Sequence, residues 1–236
     1  MRPLLLSLLL ASFSGLADGD ETRPVQCRFL SFGAGGDAGS VLATSDQGAT
    51  VICPLSANEL SKPIVCSAKD NAINFISESE KKPVAKVVIP AGIKSALLVF
   101  VPAPAKPATE ETQPSAGWRV LVIEDTPKAF PDGGAFVANF YNKDVRFVIG
   151  EHRGMLHAAA SHGYAMPAKV DEFNMAPVTF ELQQGEQWRT ASESMLRFVP
   201  GIRYLIFAYV DPASGRPRVR TVQDLVGPAP VAVATP

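Results

Sequence analysis

Two long apolar stretches decide the fold of this chain: GIKSALLVFV at residues 92–101 and GIRYLIFAYV at residues 201–210. Both are rich in the branched and aromatic residues that favour β-strands, and each closely follows a proline, Pro90 or Pro200. After a proline-containing loop, each is followed by a segment that begins with Arg-Val and ends in Asp, at residues 119–125 and 218–224. Two blocks in the same order predict an internal duplication, in which a long central strand is paired with an antiparallel strand that returns beside it.

The rest of the chain shows the same strand pattern. Short runs of Val, Ile and Phe are bounded by Gly, Pro, Asn and Asp, and no segment has a convincing helical stripe. Residues 152–161 are interpreted as polar loop with room for a helical turn or two. The further predicted strands are 25–32, 49–53, 63–67, 72–77, 84–89, 135–141, 144–149, 178–183 and 194–199. This composition predicts an all-β fold of two tandem antiparallel β-sandwich units, immunoglobulin-like in the broad sense.

Proline and glycine clusters predict how the chain is divided. The first unit is expected at residues 18–126, including a proline-rich loop at 102–117, and the second at residues 134–226. The segment between them carries Pro127, Pro131, Gly133 and Gly134, which is typical of a boundary. The last residues, 227–236, are small and apolar without any periodic pattern, and we expect them to be a disordered tail.

The first residues have the features of a cleavable export signal. Arg2 is followed by the apolar run Leu4 to Leu10, and the small residues Gly15 and Ala17 suit cleavage after Ala17. This apolar run is too short to cross a bilayer, which takes about 20 residues. Residues 1–17 therefore predict a periplasmic or extracellular protein with no membrane span after cleavage. The formal net charge of −1 gives no basic footprint for nucleic acid.

All three cysteines lie in the first half of the chain. Cys53 and Cys66 each follow a pair of apolar residues, so both are expected on strands that could be neighbours. A disulfide between them suits an oxidising compartment, and Cys27 would then be left over. The alternative is that all three are buried free thiols that act as small apolar residues. The spacing of the cysteines is typical of neither.

Histidines and methionines are concentrated in one segment, residues 152–175. His152, His157 and His162 are five residues apart, and Met155 and Met166 lie close by. Imidazole and thioether ligands outside the cytoplasm suggest a copper site. A spacing of five does not bring the rings together on one side of a strand or a helix, so a polar loop with methionine as a gap filler is the alternative.

No motif in the sequence predicts catalysis. A Gly-x-Ser-x-Gly elbow is absent, and the carboxylate pair Glu110-Glu111 falls in the proline-rich loop. The sequence therefore favours a non-enzymatic protein without a cofactor, with a binding or structural role in the cell envelope. Its unidentified partner would meet an open sheet edge or the loops at one end. The alternatives are a copper-binding protein that uses the segment 152–175, and a hydrolase.

Overall fold

The computed structural model describes residues 22–32, 39–102, 117–211 and 214–226, and this part of the chain is all β. The predicted signal at 1–17, the tail at 227–236 and most of the proline-rich loop lie outside the described residues. The strands are β1 Thr22–Ser31, β2 Ser40–Thr44, β3 Thr50–Pro54, β4 Ile64–Lys69, β5 Ala72–Ser77, β6 Pro83–Val88, β7 Ser95–Pro102, β8 Trp118–Glu124, β9 Ala135–Asn139, β10 Val145–Ile149, β11 His152–Leu156, β12 Ser161–Tyr164, β13 Met175–Gln184, β14 Gln187–Arg197, β15 Ile202–Val210 and β16 Pro217–Leu225. Within the described ranges, no helix has the length and apolarity that a membrane crossing requires.

The strands form curved or stacked sheets around apolar cores. In the first half, one sheet runs in the order β3-β2-β5-β4-β1-β7-β8, with β6 also paired to β5. This sheet curls until β6 lies against β8, and it encloses an apolar core. The second half has two four-stranded sheets, β11-β10-β13-β14 and β12-β9-β15-β16, on either side of a second core. The predicted all-β sandwich fold is confirmed.

The two halves share one pattern of strand pairing. In the first half, β1 lies parallel to β7, and β8 returns antiparallel beside β7. In the second half, β9 lies parallel to β15, and β16 returns antiparallel beside β15. The antiparallel return is as expected. The parallel pairs β1–β7 and β9–β15 were not predicted, and they are possible because long stretches of chain join the two strands of each pair. The halves differ in the number of their sheets, so duplication of the whole unit stays a prediction.

The strands β7 and β15 are buried on both sides, which explains their unbroken apolar sequences. Alternate residues of a strand point to opposite faces. In β7, Leu98 and Phe100 therefore enter the first core, while Leu97 and Val99 face the second half. The inner residues of β15 divide in the same way between the second core and a third core that lies between the halves.

The segment between the predicted units is not a loose connection. Phe130 is completely buried in the core between the halves, where its ring lies 5.9 Å from that of Phe136. Gly163 also approaches this segment so closely that a Cβ at position 163 would collide with the carbonyl oxygen of Ala129. The segment therefore helps to hold the halves together, while the predicted bounds of the two units stay predictions.

The interpretation of residues 152–161 as loop was wrong for half of the segment. Strand β11 occupies 152–156 and forms a hairpin with β10, whose turn contains Gly150 at a φ of 58°. The sequence does not indicate this hairpin, because β11 is mostly exposed and buries only Leu156. Its sequence therefore lacks the alternation of apolar and polar residues that marks a strand. The short strand β12 and the strand β2 were missed as well.

Candidate functional site

The two halves meet through side chains that point away from their own cores. From the first half, β1, the residue after it and β7 contribute Leu30, Phe32, Leu97 and Val99 to this contact. The second half contributes a set of mostly aromatic side chains. The ring of Phe32 lies 5.1 Å from that of Phe207, 5.7 Å from that of Phe140 and 4.6 Å from that of Tyr209. One end of the interface is thus aromatic and apolar.

The other end of the interface is charged. Arg28 of β1 donates two hydrogen bonds to Asp224 of β16, from Nη2 to Oδ1 at 2.6 Å and from Nη1 to Oδ2 at 3.2 Å. Arg203 of β15 donates to Asp224 Oδ2 from Nε at 3.0 Å and from Nη2 at 2.5 Å. Its Nη1 donates to Asp125 Oδ1 at 2.9 Å. We refer to these four residues (Arg28, Asp125, Arg203 and Asp224) as the Arg/Asp cluster.

The Arg/Asp cluster is almost closed to solvent. The side chain of Asp224 is fully buried, and that of Arg203 is 7% exposed. The two outer members remain partly open, with 15% exposure for Asp125 and 17% for Arg28. Two guanidinium groups balance two carboxylates, and buried charges are tolerated only when paired and hydrogen-bonded in this way. Within the described residues, no buried side-chain nitrogen or oxygen lacks a hydrogen-bond partner.

Strand register and local packing assemble the cluster. Arg203 and Asp224 are directly opposite each other in the antiparallel pair β15–β16. Asp125 comes directly after β8, where its amide nitrogen donates to the carbonyl oxygen of Ser95 at 2.9 Å. The guanidinium carbon of Arg203 lies 4.0 Å from the centre of the Phe130 ring, which adds a cation–π contact.

A cleft of about 610 Å³ opens beside the Arg/Asp cluster. Three members of the cluster line it, namely Arg28, Asp125 and Arg203. Other lining residues come from β1, from the segment before β4 and from the end of β16. Its other lining residues are Gln26, Leu60, Ser61, Lys62, Pro63, Ser95, Thr126, Pro127, Phe130, Asp132, Leu225 and Val226. The cleft therefore lies between the halves, with hydrogen-bonding groups and apolar side chains on its walls.

Hydroxyl groups and charged side chains both line the cleft. Its described lining includes serine and threonine hydroxyls but neither histidine nor cysteine. The Ser61 hydroxyl already donates to the carbonyl oxygen of Lys62 at 2.8 Å and accepts from the Phe29 amide at 3.0 Å. A serine nucleophile needs a base within hydrogen-bond reach, and these contacts do not provide one.

The predicted metal ligands are divided between two places. The rings of His152 and His162 both lie against Tyr164, at centroid distances of 5.7 and 4.9 Å. His152 Nε2 is 3.0 Å from the carbonyl oxygen of Ala165. His157 follows the far end of β11, roughly 16 Å along the strand from His152 at about 3.3 Å per residue, and its Nδ1 is 3.0 Å from Asp144 Oδ1.

The two methionines predicted as metal ligands are also apart. Met155, on β11, is 47% exposed and lies opposite Arg146, whereas Met166 lies against Gly133. In the described part of the chain, no group of three or more His, Cys, Asp or Glu residues could hold a metal ion. Copper binding stays a prediction, and its five candidate residues do not form one cluster.

The three cysteines come together inside the first core. Cys27 on β1, Cys53 on β3 and Cys66 on β4 are free thiols with no exposed surface. The thiol of Cys27 donates to the carbonyl oxygen of Val25 at 3.6 Å, and that of Cys53 donates to the carbonyl oxygen of Val51 at 4.0 Å. The expectation that Cys53 and Cys66 lie on neighbouring strands was wrong, because β3 pairs with β2 while β4 pairs with β1 and β5. They share one core because the sheet curls around it, and this curvature leaves no local signal in the sequence.

Sequence reasoning missed the Arg/Asp cluster, although a signal for it was present. Asp125 and Asp224 each end the second block of the proposed repeat, and both bind Arg203. Charged residues at the end of an apolar strand ordinarily indicate a solvated turn. Only the packing of the two halves shows that these carboxylates are turned inward.

Comparison with known proteins does not assign this chain to a family. No protein-family model matches the chain, and no curated protein matches it in sequence.

Proposed function

We propose that this protein is exported to the cell envelope or the extracellular space and that it acts there, without catalysis, by binding a partner in the cleft between its halves. The observation that carries the proposal is the cleft itself, which lies beside the Arg/Asp cluster and draws residues from both halves. Its volume of about 610 Å³ is within the range of roughly 300–1,000 Å³ that is typical of binding sites.

The cleft is preformed, which favours binding. Ordering a flexible site on binding costs free energy, and a site that is already fixed avoids this cost. Here the guanidinium groups of Arg28 and Arg203 are held by Asp224, so their positions do not depend on a ligand. Arg28 keeps a partly exposed side chain that can donate to a partner.

The lining indicates a partner with both polar and apolar groups. Gln26 and Lys62 supply donors, while Leu60 and Leu225 supply apolar contact. Leu225 is 68% exposed, so its apolar side chain is accessible to a partner in the cleft. A peptide segment of an envelope protein has this combination of backbone amides and apolar side chains.

Export is supported by the sequence of residues 1–17, with its positive start, apolar run and small residues before the cleavage point. The proposal therefore has two parts, location and binding, which separate experiments address. Fractionation of cells that express the full chain with a C-terminal tag, followed by N-terminal sequencing of the tagged protein, addresses the first part. We expect the mature chain to begin at Asp18 outside the cytoplasm, and an intact N-terminus in the cytoplasm would refute export.

Site-directed photo-crosslinking in whole cells addresses the second part. A photoreactive amino acid replaces Leu225 in the cleft or, as a control, Val88 of β6, which is 64% exposed and lies outside the cleft. We expect a discrete crosslinked envelope product from position 225 and none from position 88. Equal products from both positions, or none from either, would refute a role for the cleft. Turnover of ester or amide substrates that is lost when Ser61 is replaced by alanine would favour the hydrolase alternative.

A further inference from the structure

The second half ends in a sheet whose outer face is open. The inner face of the sheet β11-β10-β13-β14 covers the second core, and the sheet β12-β9-β15-β16 lies between it and the first half. The outer face of β11-β10-β13-β14 therefore points away from the first half and from the cleft. It is accessible to another molecule.

Strand register places one row of four residues straight across this outer face. Arg153 of β11 is opposite Val148 of β10. Val148 is opposite Thr179 of β13, which in turn is opposite Glu193 of β14. Neighbouring strands are about 4.8 Å apart, so the two charged ends of the row are separated by roughly 14 Å. The row is positive at one edge of the sheet, uncharged in the middle and negative at the other edge.

The two charged ends of the row have no partner within their own chain. Arg153 and Glu193 are both exposed. Among the residues that the structure describes, neither side chain forms an ion pair or a hydrogen bond. Both charges are therefore free to pair with charges on another molecule.

Apolar side chains surround the row. Met155 is 47% exposed and Met195 is 48% exposed, and Pro177, directly opposite Met195, is exposed as well. Methionine adapts its shape to an irregular surface. Arg146 is held on the face by a cation–π contact, with its guanidinium carbon 4.0 Å from the centre of the Trp188 ring. The outer face thus combines exposed apolar area with two charges that lack partners.

A shallow groove of about 550 Å³ lies at the positive end of the row. Arg153 and Met155 line it together with Val148 and Thr179 from the middle of the sheet. The charged residues in its lining are two arginines and one glutamate, so its net charge is positive. An acidic side chain from a partner would find both space and a cation there.

The row becomes its own complement when a second copy of the chain faces it. A two-fold axis parallel to the strands, midway between β10 and β13, places β11 of one copy over β14 of the other. Each Arg153 then faces Glu193 of the second copy, and each Val148 faces Thr179 of the second copy. Facing sheets pack about 10 Å apart, a distance that an arginine and a glutamate side chain span together. The resulting contact has an apolar middle and a charged rim, as specific interfaces do.

We propose that the outer face of β11-β10-β13-β14 binds a second copy of the chain and forms a two-fold symmetric dimer, in which Arg153 of each copy pairs with Glu193 of the other. The face is about 19 Å wide and at most about 33 Å long, so each copy covers no more than about 600 Å² of the other. This area is at the low end of specific interfaces, so the expected dimer is reversible and is weakened by salt. The proposal goes beyond the proposed function and does not depend on it, because the face lies away from the cleft.

Sedimentation velocity of the purified full chain over a range of concentrations tests the dimer. We expect the mass to rise from that of one chain towards that of two, and the association constant to fall with added salt. Arg153→Glu and Glu193→Arg should each weaken association at least about tenfold, because both symmetric pairs become contacts between like charges. The matched control is Lys86→Glu, which makes the same change of charge at an exposed residue of β6 and should leave association unchanged.

Combined charge reversals make the test specific for this contact. The double variant Arg153→Glu/Glu193→Arg exchanges the signs and restores both pairs, so it should associate like the native chain. An equimolar mixture of the two single variants, each with its own fluorescent label, should form mixed dimers that transfer energy, because each copy supplies the charge that the other needs. All of these variants should keep the urea midpoint of the native chain, since both positions are exposed.

Three results would overturn the proposal: a native chain that stays a monomer at every concentration, single variants that associate as strongly as the native chain, or single variants that form no mixed dimers. Photo-crosslinking from position 155 identifies the occupant without any charge reversal, since Met155 is exposed on the same face. We expect a product with the mass of two chains. A product with a different protein and none with two chains would assign the face to another partner and overturn the dimer.

Discussion

Replacement of Asp224 by asparagine should weaken the whole molecule, because this carboxylate joins the two halves. It accepts four hydrogen bonds, two from Arg28 of the first half and two from Arg203 of the second. The substituted amide would keep the size of the side chain but lose its charge, and its NH₂ group would face guanidinium donors. The core of the Arg/Asp cluster would then hold two cations and the single carboxylate of Asp125.

The expected loss is about 3–5 kcal/mol of unfolding free energy, the usual cost of breaking a buried ion pair by removing one partner. The full burial of the Asp224 side chain places the loss in this range and not in the range below about 1 kcal/mol that exposed pairs show. For a chain of this size, such a loss corresponds to a fall in Tm of roughly 10 °C.

Urea unfolding followed by tryptophan fluorescence measures the effect, since each half contains one tryptophan, Trp118 or Trp188. The matched control is Glu80→Gln, which removes an ion pair with Lys82 whose side chains are both about two-thirds exposed. We expect the control to change stability by less than about 0.5 kcal/mol. A loss below about 1 kcal/mol for Asp224→Asn would refute the reasoning. So would strict additivity with Arg28→Gln, because members of one ionic network should be coupled by about 0.5–3 kcal/mol.

Three further predictions concern the interface, the dependence of stability on pH and the histidines. Phe207→Ala should cost about 3–5 kcal/mol in urea unfolding because its ring is fully buried between the halves, whereas Phe173→Ala, at a residue that is 66% exposed, should cost less than about 0.5 kcal/mol. Burial raises the pKa of Tyr204 above the phenol's ordinary value of about 10, so the folded state keeps this proton to a higher pH than the unfolded state does. The unfolding free energy should therefore be unaffected by this group below about pH 10 and should fall as the pH rises further. The fall should be less steep in the Tyr204→Phe variant, which has no phenolic proton. Copper titration followed by calorimetry should give no saturable 1:1 binding that depends on the histidines, and a stoichiometric site lost when all three become alanine (His152, His157 and His162) would show the copper alternative to be correct.

The location of the charged contacts suggests how the interface is organised. From the open cleft inward, the facing residues of β1 change from Gln26 to Arg28 to Leu30, which is a passage from solvent to ion pairs to apolar core. Charge inside an interface gives orientation and register more than affinity. We expect the apolar end to supply most of the free energy that holds the halves together, and the Arg/Asp cluster to fix their relative position.

The sequence by itself determined the strands that have a strong local pattern. Residues 92–101 and 201–210 were identified because a strand buried on both faces must be apolar at nearly every position. Their antiparallel partners were identified by the same strand signal. The exposed strand β11 was missed because a strand with few buried positions has no such requirement. The predicted signal, tail and domain bounds depend on sequence patterns alone.

Only the tertiary structure decided which side chains meet. Cys53 and Cys66 share one core through the curvature of a sheet, and Asp125 and Asp224 meet on Arg203 through the packing of two halves. Burial of a side chain is a local demand that leaves a periodic trace in the sequence. A contact between residues far apart in the sequence depends on the twist and register of all the strands between them. The identity of either residue therefore does not predict the contact.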